Sequence, residues 1–288
     1  MKGDRPIDRQ RNAAGSIKIA GPGAAREAIG IGSKLYVFKD EAIYSVMLAD
    51  QIDPGRTNPN LTPVQQHEYG VGLASPLVGR TILTAKYLFK DGMLRGRLNK
   101  DVLMGLVLEF FEEALALSGM LDAFAEELKR LAEDWNKKQY QRGSSVLLPS
   151  VPDIKGKIKA FVQRAEHAAQ SLLALSRAFF PSEKGGFDSV LEAIRSRGDV
   201  LPDQIKFAEM IVNYWKFLRH CRHCVEHPKP RQKLAVENFH MTIDGKVSFP
   251  TVEVIHEKTP EPRTEAAIFM PGLLDSVPNM GEQLMAIR

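Results

Sequence analysis

Apolar residues recur every three or four positions along most of the chain, which is the spacing of amphipathic helices. Pro54 stops the first of these segments, and Ser75 followed by Pro76 opens the second in the manner of a helix start. The pattern predicts helices over residues 38–53, 75–91, 99–141, 155–180, 186–197 and 203–227. We therefore expect a mainly α fold built as a helical bundle.

Three stretches depart from this pattern. Residues 239–256 alternate between apolar and polar side chains around Asp244 and Gly245, which predicts a small β-hairpin near the C-terminus. From residue 257 onward several prolines interrupt a weak apolar pattern, so an irregular extension is expected there. The first 34 residues are rich in Gly, Arg and Lys, which is typical of a flexible basic lead-in.

These segments divide the chain into four predicted regions. They are a lead-in at 1–34, an N-terminal helical region at 35–150, a helical core at 151–235, and the hairpin with its irregular extension at 236–288. A Ser- and Pro-rich break at 142–153 separates the second region from the third. The alternative is that residues 35–288 form one domain, which a chain of this length permits.

Composition narrows the choice of compartment and partner. An apolar fraction of 44% with 26% charged residues is ordinary for a folded protein, and a net charge of +4 is compatible with an anionic partner. Cys221 and Cys224 are the only cysteines, so a disulfide framework is excluded and a cytoplasmic location is expected. The longest apolar run, 102–111, is too short to span a bilayer and contains Glu109, so we expect no membrane association.

A glycine-rich stretch at 21–34 invites comparison with a phosphate-binding loop. Such a loop ends in Gly-Lys-Ser/Thr so that the lysine reaches the phosphates, whereas the order here is Gly32-Ser33-Lys34. The comparison fails, and the sequence predicts no cofactor.

The chemistry of the chain is concentrated in residues 219–228, RHCRHCVEHP, which hold three of its seven histidines. On a helix over 203–227, one narrow arc is apolar and predicts the core stripe: Phe207, Ile211, Tyr214, Leu218, Cys221 and Val225. The opposite side carries Trp215, Arg219, Arg222, His223, Glu226 and His227. Pro228 ends the helix, which leaves His227 in the last turn, where the helix dipole favours a cation.

Three interpretations of this cluster compete. A solvated basic helix end explains the arginines but not the concentration of histidines. A zinc site would use Cys221 and Cys224, but a second ligand pair is missing and Cys221 lies on the apolar stripe, so no metal is predicted. A nuclease site is the third interpretation.

The segment Arg222–His227, RHCVEH, resembles the Arg-x4–6-His signature of the HEPN superfamily (higher eukaryotes and prokaryotes nucleotide-binding). The resemblance covers mainly residues 154–235 and includes the apolar, aromatic helix that carries the motif. It implies a helical bundle that usually dimerises, so that two motifs face one cleft. Many members are metal-independent endoribonucleases of toxin–antitoxin, phage-defence and CRISPR systems. Others are catalytically inactive modules that bind RNA, nucleotides or proteins.

Carried onto this sequence, the resemblance implies that Arg222 holds the scissile phosphate. His227 would be the general base or acid, and His223 would orient or assist. RNA supplies its own nucleophile, the 2′-hydroxyl, so an imidazole and a guanidinium suffice without a metal. Arg222 and His227 are about 140° apart on an ideal helix, so they cannot both contact one phosphate unless the helix end unwinds or two copies share the task, and we expect a homodimer.

Nearby cations extend the predicted site. A basic stripe is expected to bind the RNA backbone, and it consists of Lys216, Arg219, Lys229, Arg231 and Lys233. The sequence thus favours an RNA-cleaving enzyme, with an antitoxin or sensor protein as a further partner. The alternative is an inactive binding or scaffold module of the same fold.

Overall fold

The structure, a computed structural model, describes residues 5–13, 16–90, 98–136, 145–181 and 185–287. The chain forms two compact units, Met1–Leu108 and Glu109–Arg288. The division falls within the longest helix, Lys100–Asn136. Parts of the predicted segments at residues 1–4, 14–15, 91–97, 137–144, 182–184 and 288 lie outside the described residues.

The first unit is built on a four-stranded antiparallel sheet in the order β1-β2-β3-β4. Its elements in chain order are α1 (Pro6–Asn12), β1 (Glu27–Ile31), β2 (Lys34–Phe38), β3 (Ile43–Met47), α2 (Ala49–Ile52), β4 (Val64–Tyr69), α3 (Pro76–Val78), a π-helical turn (Gly79–Leu83) and α4 (Thr84–Leu88). The helix start predicted at Ser75 and Pro76 is confirmed.

The helix predicted over 38–53 is wrong, because residues 34–38 and 43–47 form two paired strands. Strand β3 is rich in β-branched and aromatic residues, and Ile43, Tyr44 and Val46 are all buried although they lie on both faces of the strand. A strand buried on both faces reads as a continuous apolar run, which periodicity does not separate from a helix.

The beginning of the chain differs from the expected flexible lead-in. Gly32, with a φ of +57°, lies in the tight turn that joins β1 to β2, so the later part of the glycine-rich stretch, from residue 27, belongs to a hairpin. The ammonium group of the buried Lys39 donates to the carbonyl oxygens of Ile19 (3.2 Å) and Gly21 (2.8 Å). This segment is therefore held against the sheet.

The second unit is mainly α, as predicted. It contains most of α5 (Lys100–Asn136), then α6 (Ile154–Phe179), α7 (Phe187–Ser196), α8 (Pro202–Glu226), β5 (Lys233–Glu237), β6 (His240–Met241), β7 (Val247–Ser248), β8 (Thr251–Ile255), β9 (Glu261–Glu265) and α9 (Ala266–Ile287). Helix α8 packs against α6, α7 and α9, and it is the element that carries the motif. The helices predicted at 155–180, 186–197 and 203–227 are confirmed, as is the described part of the helix at 99–141.

The C-terminal region is only partly as predicted. Strands β6 and β7 pair antiparallel around Asp244 and Gly245, which confirms a hairpin at this turn, whereas residues 251–255 of the predicted hairpin pair with β5 and β9 instead. The irregular extension is wrong, because β9 completes a β5-β8-β9 sheet and α9 runs on to Ile287. Helix α9 tolerates Pro271 and Pro278 because its apolar side is buried, at Phe269, Leu273, Val277, Met280 and Leu284 among others.

Within the described residues, no helix has the length and apolar character needed to cross a membrane.

Candidate functional site

The site is built on the C-terminal end of α8. The helix ends at Glu226, and His227 takes a non-helical conformation (φ −129°, ψ 62°) just before Pro228, which cannot continue a helix. The side-chain amide of Gln232 donates to the carbonyl oxygens of His223 (3.3 Å) and His227 (3.0 Å). The carbonyl oxygen of His223 also accepts from the backbone N–H of His227 at 2.9 Å, so Gln232 adds a second bond there and one to His227, which stabilises the last turn.

The core stripe predicted for this helix is largely confirmed. Ile211, Leu218, Cys221 and Val225 are buried and Tyr214 is half-buried, whereas Phe207 is wrong because its side chain is 43% exposed.

Trp215, predicted on the polar side, is only 3% exposed. It packs against Phe187 of α7 with ring centroids 5.0 Å apart, and a Cβ on Gly186 would come within 2.5 Å of its ring. Helix α7 thus covers this part of the polar face and leaves the remainder, toward the C-terminus of α8, open.

That open part is one wall of a pocket of about 530 Å³, and α6 supplies another wall. The three residues predicted to be catalytic, Arg222, His223 and His227, all line it. His227 joins the other two because the chain leaves the helical path at this residue, so the helix end unwinds, which was the alternative to the expected homodimer. One chain therefore brings two imidazoles and a guanidinium to one pocket.

Arg222 is held by two carboxylates. Its Nη1 donates to Glu166 of α6 (2.7 Å) and its Nε donates to Glu226 (2.8 Å), which leaves Nη2 outside both bonds. Glu166 is only 2% exposed and also accepts from the side-chain amide of Gln170 at 2.6 Å. The hydrogen bond to Glu226, together with that to Glu166, raises the pKa of Arg222, so this cation is permanent.

The histidines of the cluster have different surroundings. Burial, followed by the positive charge of Arg219, lowers the pKa of His223 below its ordinary value of 6.5, so its imidazole is neutral at neutral pH. His227 is exposed at the mouth of the same pocket. His220 points away from it, with Nδ1 at 3.0 Å from the hydroxyl oxygen of Thr259.

The predicted basic stripe is not a single surface. Arg219 lines the pocket, where its guanidinium carbon lies over the Trp215 ring at 5.3 Å from the centroid. Lys216 forms an ion pair with Asp188 at 2.6 Å. Lys229, Arg231 and Lys233 are exposed beyond the helix end, and Arg231 lines a different cleft beside β8 and β9.

Sequence reasoning missed the contribution of α6, which brings Glu166, Gln170 and Arg177 to the pocket. A signal for one of them was present. Glu166 lies between apolar positions that are buried, Val162, Ala165 and Ala169, and a carboxylate on the buried side of a helix indicates a charged partner.

The two cysteines face the core. Cys221 and Cys224 are buried, and the thiol of Cys224 lies 3.6 Å from the carbonyl oxygen of Ile255. Burial raises the pKa of both thiols, that of Cys224 to about 11. In the described part of the chain, no group of three or more His, Cys, Asp and Glu side chains is placed to hold a metal ion.

Both thiols are therefore expected to resist alkylation in the folded protein. The difference between about 11 and the ordinary 9.0 is two pKa units, so at pH 8 the thiolate of Cys224 is about a hundredfold rarer than in the unfolded chain. Labelling with a chromogenic disulfide reagent, in buffer and in guanidinium chloride, measures the ratio of rates. Rapid labelling of two thiols in the native protein would show that this face of α8 is open.

The pocket thus combines permanent positive charge with a neutral imidazole and a second imidazole at its mouth. This set of groups can bind an anion and exchange protons with it. Comparison of the chain with protein-family models, with curated proteins and with solved structures found no match.

Proposed function

We propose that this protein is a metal-independent endoribonuclease of HEPN type, in which the helices of the second unit form the HEPN-like bundle and RNA is cut in the pocket between α6 and α8. One observation carries the proposal: Arg222, His223 and His227, the residues of the Arg-x4-His motif, line a single pocket. A toxin or phage-defence setting, with an antitoxin or sensor partner, remains a prediction from the family resemblance, and a cytoplasmic location remains a prediction from the cysteine content.

In the proposed reaction, the two imidazoles divide the proton transfers between them. Neutral His223 takes the proton of the ribose 2′-hydroxyl, and the 2′-oxygen attacks phosphorus. The bond from phosphorus to the 5′-oxygen breaks, and that oxygen receives a proton from His227. The products are a 2′,3′-cyclic phosphate and a 5′-hydroxyl end. This assigns His223 a larger part than the assisting one that the sequence suggested.

The arginines stabilise the charge that develops on the phosphate. Glu166 and Glu226 fix the plane of the Arg222 guanidinium, so its Nη2 is oriented before substrate arrives. Arg219, exposed on the same wall, is positioned to contact a neighbouring phosphate.

A second copy of the chain remains a prediction that follows from the family resemblance. The separation of Arg222 and His227 on an ideal helix no longer requires it, because both residues line one pocket of one chain. Light scattering on the purified protein, combined with cleavage assays over a range of protein concentrations, separates a dimer needed for activity from an incidental one.

The proposal is tested with the purified full-length protein and a mixed pool of RNA. Cleavage is expected in EDTA at the rate seen without it, and the fragments should carry cyclic phosphate and 5′-hydroxyl ends. An intact pool under all conditions, or 5′-phosphate ends, would rule out the proposed chemistry.

The second candidate is a catalytically inactive module that binds RNA. The observation favouring it is that Arg222 already has two carboxylate partners, so part of its charge is neutralised before any phosphate binds. In this case RNA is bound but remains uncut.

Under either function, Arg219→Ala is expected to weaken binding of RNA. Loss of one phosphate contact lowers the slope of log affinity against log salt concentration by about 0.7 to 0.9. Fluorescence anisotropy with labelled RNA over a series of KCl concentrations measures that slope. The matched control is Arg195→Ala, which removes an exposed arginine of α7 that pairs with Glu209 outside the pocket. Equal slopes for the two variants would remove Arg219 from the RNA-binding surface.

A further inference from the structure

The turn that follows β8 is closed by a histidine side chain. Nδ1 of His256 accepts hydrogen bonds from the backbone N–H groups of Lys258 (3.2 Å) and Thr259 (3.3 Å). Only an imidazole nitrogen that carries no proton can accept, so these bonds require the neutral form of His256. If Nδ1 carried a proton, its N–H group would face the backbone N–H groups of Lys258 and Thr259, and the three donors would have no acceptor.

The same imidazole is stacked on α8. The rings of His256 and His220 are 4.2 Å apart between centroids and inclined by 20°. The hydroxyl oxygen of Thr259 lies between them, 3.0 Å from Nδ1 of His220 and 3.3 Å from Nδ1 of His256. The side chains of His220, His256 and Thr259 therefore fasten the turn to α8.

Charged groups lie on both sides of the contact between His220 and His256. His223 and Arg219 of α8 and Lys258 of the turn face His220, and all three disfavour a positive charge there. The cleft beside His256 is lined by four charged residues, Arg231, Glu253, Glu257 and Glu261. Burial, followed by His256, lowers the pKa of His220 below its ordinary value. These causes disfavour the cationic form of His220.

We propose that His256 is a pH-sensitive latch: its neutral imidazole closes the turn 256–259 and holds it against His220 of α8, and protonation releases the turn. Release follows from two effects that act together. The two backbone N–H groups lose their acceptor, and an imidazolium is placed against the stacked ring and beside Lys258.

The contacts of His256 that form the latch lie outside the pocket, so this proposal is independent of the proposed ribonuclease activity. Its position still matters for the pocket, because His220 adjoins Arg219 in the chain and its ring centroid is 6.3 Å from that of His223. Acidification would therefore free one side of the helix end whose other side lines the pocket.

The test compares two substitutions of His256 that fix the latch in opposite states. In His256→Asn, the side-chain Oδ1 occupies the place of Nδ1, accepts the same two N–H bonds and does not titrate, which keeps the turn closed at every pH. In His256→Ala the acceptor is absent at every pH. The control is His167→Asn, which changes an exposed histidine on α6 outside the described contacts of the latch.

NMR spectra of the isotope-labelled full-length protein from pH 8 to pH 5 provide the readout. The amide signals of Lys258 and Thr259 are expected to move in the wild type with the same midpoint as the His256 imidazole. Exchange of these amides, corrected for intrinsic rates, should rise by up to about tenfold per pH unit below that midpoint. His256→Asn should show neither change, and His167→Asn should match the wild type.

The proposal is overturned if the two amides stay in place while His256 titrates. It is equally overturned if His256→Asn follows the wild-type titration of these amides. Since His256→Asn retains the closed turn, a failure of His256→Ala to fold would leave this comparison intact.

Discussion

The His227→Ala variant is expected to cleave RNA at least about a hundredfold more slowly than the wild type, which is the lower range for loss of a general acid or base. The loss should appear in the rate of the chemical step and not in the affinity for RNA, since Arg219 and Arg222 remain. The substitution should leave the fold unchanged because His227 is exposed and lies beyond the last residue of α8.

Single-turnover cleavage with saturating enzyme measures this step directly. His167→Ala is the matched control, because it removes an exposed histidine from α6 outside the pocket. The pH profile adds a second test. Since the pKa of His223 is lowered below 6.5, the acid limb of the wild-type profile should lie below pH 6.5, where His223 takes up a proton and can no longer act as a base. Equal rates for His227→Ala and the control would remove His227 from the mechanism.

Arg222→Ala is expected to lose stability as well as activity. It leaves the carboxylate of Glu166, 2% exposed, without its cationic partner. Removing one member of a buried ion pair costs about 3–5 kcal/mol, and the cost here should be nearer the lower end or below it, about 2–3 kcal/mol, because the Arg222 side chain is 33% exposed. An inactive Arg222→Ala variant alone would therefore say little about catalysis.

A double-mutant cycle with Glu166→Gln separates the two effects. The glutamine removes the stranded charge and is nearly the same size, so the double variant should recover more than half of the stability lost in Arg222→Ala, yet it should remain inactive. Urea denaturation gives the unfolding free energies, and the cleavage assay gives the activities. Arg195→Ala, which breaks an exposed pair with Glu209, should change stability by less than about 1 kcal/mol. Additive losses would mean that Glu166 and Arg222 are not coupled.

Helices α6, α7 and α8 could be predicted from the sequence because each has a buried apolar stripe and a clear boundary. Pro202 and Pro228 bracket α8, and the alternation around Gly245 marks the β6–β7 turn. The sheet of the first unit could not, because β3 is buried on both faces. Helix α9 was missed because its two prolines locally predict an interrupted helix. The burial of its apolar side, which stabilises the helix, depends on residues that are distant in the sequence.

The site was partly predictable for a similar reason. The motif and the helix end lie in one continuous segment, so Arg222, His223 and His227 could be chosen from the sequence. Glu166 lies 56 positions before Arg222, and nothing local pairs the two. The burial of Trp215 depends on α7, and the scattering of the basic stripe depends on the turn after Pro228, so both required the fold.

The hydrogen bonds from Gln232 to the last turn of α8 affect how an Arg-x4–6-His motif should be identified in other sequences. The position of the terminal imidazole is set from outside the helix, by an amide located five residues further along. Lengthening or shortening the stretch between Pro228 and Gln232 would displace that imidazole even with Arg222, His223 and His227 all retained. A chain can therefore retain the Arg-x4–6-His signature although its terminal imidazole no longer lies beside the arginine. The number of residues between the signature and an amide that bonds to the helix end should be compared as well.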